Sequence, residues 1–259
     1  MKQRVITAVI ALLALLAVLF YVPEQVALAA IVLVILAGAW EWSGFLDVEA
    51  VWMRYVYVGL IAGLVAAVTL LDVNESLVFV IALGWWLAAL IWTFFFPTPI
   101  PTAVRWLSGA LVLVPLYLAL VILYQIAPEL LLFALLIVWV ADTGAYFAGK
   151  ALGRVKLAPQ ISPGKTWEGV IGGLVAVVIL TVLRTTWTET DLAVFVPFCL
   201  AVASLSIVGD LTVSMFKRTA GLKDSGSLFP GHGGVLDRID SIAAAVPLFA
   251  LGLGWMGLA

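Results

Sequence analysis

The stretch LLLFALLIVWVADTGAYFAG, Leu130 to Gly149, decides the fold. At ~1.5 Å per helical residue it reaches about 30 Å, the thickness of a bilayer's hydrocarbon layer. Only Asp142 carries a charge in it. A segment of this length and polarity is a membrane-spanning helix. An acid inside one costs about 2.5 to 3.5 kcal/mol on insertion scales, so Asp142 is a functional-site candidate by its position alone.

The rest of the chain repeats the pattern. Of 259 residues, 65% are hydrophobic and 11% charged, against roughly 45 to 50% apolar in soluble domains, and the mean hydropathy is +1.22. Nine apolar runs are long enough to be spans, at residues 5–22, 25–46, 55–71, 76–96, 104–125, 129–149, 168–184, 191–214 and 241–258. The expected fold is therefore an all-α polytopic integral membrane protein with about nine transmembrane helices. Most connections are tight, and only Lys150–Trp167 and Met215–Asp240 are long and polar. With no internal repeat or soluble domain, residues 1–259 read as a single transmembrane domain, with its chemistry in 142–168 and 210–240. Ala27-Leu28-Ala29 resembles a signal-peptide cleavage site. The run before it is nearly a full span and a second follows directly, so it reads as the first membrane helix.

Charge sets the orientation. With the spans alternating, twelve of the thirteen Lys and Arg residues fall on one side and Arg184 alone on the other. That asymmetry predicts a cytoplasmic N-terminus, an external C-terminus and both long loops on the cytoplasmic face. Chain length and the lack of a transit segment fit a bacterial inner membrane. A formal charge of −2 gives no support to a nucleic-acid partner. Cys199 is the only cysteine, which rules out an intrachain disulfide or a cysteine-based zinc site.

Asp210, in SLSIVGDLTVSMF, is the second intramembrane acid. It precedes Lys217 by seven residues and Asp142 precedes Lys150 by eight, so both lie roughly 10 to 12 Å below the loops. The simplest partner for such acids is a buried Lys or Arg, but neither helix nor its apolar neighbours supplies one at that depth. A metal cation would compensate the charge. Gly144 and Gly209, beside the two acids, would admit a close backbone or ligand. Glu41, in AWEWSGF, reads as an interfacial acid between tryptophans.

The stretch SMFKRTAGLKDSGSLFPGHGGVLDRID, Ser214 to Asp240, gathers Lys217, Arg218, Lys223, Asp224, His232, Asp237, Arg238 and Asp240. His232 is the only histidine. The turn Pro230 to Gly234 leaves backbone N–H groups open to an anion, and Asp237 and Asp240, three apart, share one face of a helix. Cations, glycines and paired acids fit a metal-bound phosphate ester; a basic loop before a capped helix fits the same residues. In Ser162-Pro163-Gly164-Lys165-Thr166-Trp167-Glu168 the serine reads as an N-cap with proline at the first helical position, leaving Lys165 and Thr166 able to hold a phosphate at a helix start. A snorkelling lysine on a capped helix is the other reading. Gly164-Lys165-Thr166 resembles the end of a Walker A loop, but residue 159 is proline and no strand is expected before it, which excludes a P-loop.

Taken in order and spacing, Ser214 to Arg218, Lys223 to Gly226, Pro230 to Gly234 and Asp237 to Asp240 resemble the signature of the phosphatidate cytidylyltransferase (CDP-diacylglycerol synthase) family. Asp142-Thr143-Gly144-Ala145-Tyr146 and Ser162 to Glu168 are similar to two further motifs of that family. Gly164 departs from the pattern, where a second lysine is expected. Residues 1 to about 130 are similar only as apolar helices.

The resemblance implies cytidylyl transfer from CTP to phosphatidic acid at the cytoplasmic face of a bacterial inner membrane. The lipid phosphate would be the nucleophile, so no Ser-His-Asp or Cys-His set is needed. It implies magnesium, with a second cation left open, at Asp142, Asp210, Asp237 and Asp240. Asp210, Asp237, Lys223 and His232 would be catalytic. Ser162, Lys165, Thr166, Lys217, Arg218, Asp224, Gly233, Gly234 and Arg238 would bind substrate. A homodimer follows by analogy with the family. A polyprenol or phytol kinase, which would release CDP, and a cation- or proton-coupled transporter are the rival readings.

Overall fold

The computed structural model describes residues 2–48, 50–186, 191–228 and 233–256. Nine α-helices form in chain order among them: α1 (Lys2–Phe20), α2 (Glu24–Trp42), α3 (Val51–Leu70), α4 (Glu75–Thr93), α5 (Thr102–Ile126), α6 (Pro128–Leu152), α7 (Trp167–Thr185), α8 (Leu192–Thr219) and α9 (Leu236–Trp255). Seven of them, α2 to α8, are long and apolar enough to cross a membrane, and α1 adds a shorter apolar stretch, Val9–Phe20.

Burial is arranged for a lipid solvent. Large apolar side chains such as Leu33, Leu70, Leu77, Phe94 and Leu107 point outward, while α5, α8 and α9 carry the longest buried stretches. The α9 helix packs against α8, α5, α4, α6 and α2. It holds Asp237, Arg238 and Asp240 in its first turns, and charges at membrane depth belong inside a bundle. The α6 and α7 helices approach closely because glycines face each other: a Cβ on Gly144 would stand 2.8 Å from the Ala176 Cβ and 3.0 Å from the Gly172 carbonyl oxygen.

The all-α class holds, and three local expectations need correction. The loop before α7 is not strandless: β1 (Lys156–Ala158) and β2 (Ser162–Thr166) form an antiparallel hairpin, pairing Lys156 with Thr166 and Ala158 with Ser162. Ser162-Pro163 therefore does not start a helix. Thr166 is the N-cap of α7, with its hydroxyl accepting from the Gly169 N–H at 3.1 Å. A strand does precede that helix, but Gly164-Lys165-Thr166 lies within the strand rather than in a loop after it, so no phosphate-cradling loop results. The second polar loop is also shorter than expected, because α8 runs on to Thr219 and α9 begins at Leu236.

Candidate active site

The two intramembrane acids meet. Asp142 from α6 and Asp210 from α8 stand between two cavities and line both. The polar one, about 310 Å³, is completed by Lys217, Asp224, Asp237, Arg238, Asp240 and Ser241. The larger, about 490 Å³, runs between α6, α7 and α8, with Ser162, Gly164, Lys165 and Thr166 of β2 at its edge and Tyr146, Val170, Leu174 and Ile207 among its apolar walls. One cavity suits phosphates and the other an amphiphile. The α8–α9 contact sets the spacing of the acids, because a Cβ on Gly209 would meet the Asp240 carbonyl oxygen at 2.5 Å and the Ala244 Cβ at 3.0 Å.

Asp210 has a cationic partner after all: Lys165, carried inward by the hairpin, pairs with it at 2.6 Å. Ser214 donates to its other oxygen at 3.1 Å. Lys217, near the end of α8, pairs with Asp237 at 2.7 Å and lies 3.8 Å from Asp240. Asp240 also accepts from the Ser241 N–H at 2.8 Å.

The glycine turn differs from its sequence reading. Asp237 accepts from the N–H groups of Ser225 and Gly234, each at 2.9 Å. The Gly234 amide is thus filled by a carboxylate rather than open to an anion. Gly233 has φ +80°, with the Asp237 carboxylate against its α-carbon, a conformation and contact that exclude a Cβ. Pro230 and His232 lie outside the described residues. Arg218 is exposed and donates to the carbonyl oxygens of Ile161 at 3.3 Å and Leu222 at 3.4 Å. Lys223 is exposed on the loop, and neither residue is among those lining the two cavities.

Sequence reasoning misplaced Glu41. It is buried rather than interfacial and accepts from the N–H groups of Val235 at 2.9 Å and Leu236 at 2.8 Å and from the Ser225 hydroxyl at 2.7 Å. The available signal was that Val235, at the N-cap of α9, has no side-chain acceptor of its own.

The donor set can be tested against a metal. Among the described residues no three His, Cys, Asp or Glu side chains already close into a cage, and Lys165 and Lys217 lie between the acids. Yet five carboxylates line the polar cavity against Lys217 and Arg238, with Lys165 reaching Asp210 from beside it. That surplus of oxygen donors suits a hard divalent cation that keeps part of its water shell.

The model of the cytidylyltransferase family matches residues 2–255. A protein of Pseudomonas aeruginosa named phosphatidate cytidylyltransferase is 42% identical over 98% of this chain and 98% of its own. One of the same name from Haemophilus influenzae is 37% identical over 96% of this chain and 97% of its own. A Staphylococcus saprophyticus protein of that name is 43% identical over 46% of each chain. With a match running the length of the molecule and the acids of its signature gathered at one pair of cavities, the chain belongs to the cytidylyltransferase family.

Proposed function

We propose that this chain transfers the cytidylyl group of CTP to phosphatidic acid, giving CDP-diacylglycerol and pyrophosphate. The observation that carries the reading is the junction itself, where Asp142 and Asp210 border both an apolar-walled cavity and a polar one. A lipid phosphate at the end of the first would face a nucleotide triphosphate in the second. An oxygen of the phosphatidate phosphate attacks the α-phosphorus of CTP; the new P–O bond forms as the bond to the β-phosphate oxygen breaks, and pyrophosphate leaves. The protein need supply no nucleophile of its own, only position and charge.

Lys217 and Arg238 in the polar cavity, and Lys165 at the junction, would hold phosphate oxygens. Lys165 and Lys217 would exchange their carboxylate partners for substrate. Asp210 and Asp240, with Asp142 and Asp237 beside them, would hold magnesium, which when bound neutralises the triphosphate and the charge developing on the leaving group. Asp237 also secures the loop through Ser225 and Gly234. The one-sided Lys and Arg distribution supports nine crossings in a bacterial inner membrane, with the N-terminus and the site on the cytoplasmic side. A homodimer belongs to the same reading, by likeness to the family.

The test is turnover in liposomes with labelled CTP, phosphatidic acid and magnesium. Lipid-soluble label and released pyrophosphate are expected; release of CDP would instead indicate γ-phosphoryl transfer and overturn the reading. Asp210→Asn and Asp237→Asn, in protein that inserts and folds, are each expected to lose nearly all turnover, and near-normal rates in either would remove that residue from the role.

A further inference from the structure

We propose that Glu41 is a positioning residue for the transfer, its carboxylate reaching from α2 to fix the start of α9 and so where Asp237 and Asp240 stand. The inference rests on the function just described, but its structural half has a separate readout.

A helix leaves its first N–H groups without partners. An N-cap Ser, Thr, Asp or Asn ordinarily supplies the acceptor, and α9 has Val235 there, with no side-chain cap bond. The acceptor comes from Glu41 instead: Oε1 takes the Val235 N–H and Oε2 the Leu236 N–H, across 194 and 195 residues of chain. A carboxylate at a helix N-terminus also gains from the helix dipole. Its third bond is to the Ser225 hydroxyl, on the far side of the loop. Asp237 bonds both sides as well, through the Ser225 and Gly234 amides. The two carboxylates together close the neck of the signature loop, and one of them belongs to the catalytic cluster.

The fit around Glu41 is close. A Cβ on either Gly226 or Gly234 would collide with its carboxylate, so the loop approaches with bare backbone on both sides. The part of the chain in which the sequence shows no catalytic residue thus contributes a group that binds the backbone at Val235 and Leu236, immediately before Asp237 and within the turn that leads to Asp240. A shift of about 1 Å at groups that orient reacting phosphates can cost on the order of 100-fold in rate. Ground-state binding, spread over several contacts from three helices and the hairpin, depends less steeply on that alignment.

The experiment compares wild type, Glu41→Gln, Glu41→Ala and Gly226→Ala in detergent or liposomes, with rates normalised to folded protein well below each melting midpoint. Gln keeps the shape but offers one acceptor oxygen where two backbone N–H groups need one each. We expect kcat to fall on the order of 10-fold in Glu41→Gln and further in Glu41→Ala, with KM for CTP and phosphatidic acid within about threefold of wild type. The Gly226→Ala variant leaves Glu41 in place and pushes on it from the half-buried loop, so it tests the same link if a Glu41 variant does not fold. Its loss should not add to that of Glu41→Gln in the double variant, as for two changes to one contact. Amide hydrogen exchange over residues 233–240 should quicken in each variant.

Wild-type kcat per folded molecule in Glu41→Ala or, where that variant does not fold, in Gly226→Ala would overturn the proposal. So would full additivity, or unchanged exchange over 233–240. Failure of the function itself shows separately, as wild-type protein that yields no CDP-diacylglycerol; the exchange data then decide whether Glu41 anchors α9.

Discussion

Replacing Lys217 with methionine is the sharpest probe of the charge balance at the site. The ammonium pairs with Asp237 at 2.7 Å and is 3.8 Å from Asp240, and the Lys217 and Asp237 side chains are only 9% and 7% exposed. Solvent therefore screens the pair little. Methionine has nearly the length of the lysine stem, so packing is kept while two buried carboxylates lose their cation. Breaking one partner of a buried pair costs about 3 to 5 kcal/mol, because the remaining charge is uncompensated. At roughly 2 to 4 °C per kcal/mol for chains of this order of size, the melting midpoint should drop by roughly 6 to 20 °C.

The assay is thermal unfolding of the detergent-purified protein in EDTA, so that only the protein's own charges count. Lys217→Met with Asp237→Asn should recover part of the loss, since the double variant removes both members of the closer pair and the coupling between contacting residues is about 0.5 to 3 kcal/mol. A single variant within about 2 °C of wild type, a shift on the order of 1 kcal/mol or less, would refute the assignment of this pair as a buried charge contact. So would a double variant whose loss equals the sum of the two singles.

Gly209→Val should cost about 1 to 3 kcal/mol by overpacking α8 against α9 and should lower turnover per folded molecule, because its new Cβ meets the Asp240 backbone; wild-type turnover would show that this contact does not set the spacing of the acids. Thr166→Val should cost about 1 kcal/mol through loss of the α7 cap, whereas Thr166→Ser, which keeps the hydroxyl, should sit near wild type in the same melt. Gly164→Lys should be neutral for stability, since a Cβ there meets nothing within 4 Å. Its added cation, at the edge of the apolar-walled cavity and worth about 1 kcal/mol near a phosphate in water, should lower KM for phosphatidic acid roughly fivefold in steady-state kinetics; an unchanged or raised KM would mean that β2 does not face the lipid phosphate.

The helices were readable because lipid imposes a length and a polarity on each span, and the acids because a charge at that depth is costly wherever it lies. Asp142 and Asp210 are separated by 68 residues, and equal distance below the loops was enough to bring them together. The hairpin was not readable. Ser162-Pro163 matches a helix start, and Ser162 to Thr166 carry no alternation of apolar side chains to mark a strand. Backbone pairing of Lys156 with Thr166 decided the matter. The same fold-back explains the missed Lys165–Asp210 pair. Depth counted along a helix takes a loop lysine to stay in its loop, while this one sits on a strand leading into α7 and its side chain reaches Asp210.

Glu41 shows what a single sequence can and cannot say about a cap. A helix starting at Val235-Leu236 with no Ser, Thr, Asp or Asn before it must take its acceptor from elsewhere, and that need can be read from the residues alone. The supplier cannot: it lies up to 195 residues away, and near the end of an apolar run it has the composition of an ordinary interfacial acid. Glycine at 226 and 234 carries the other half of the information, since both positions touch the same carboxylate. Within the loop those glycines look like flexibility. Beside a helix start without a cap they are the space that a carboxylate from another helix occupies, so the two features taken together point to a buried acid at the neck of the loop.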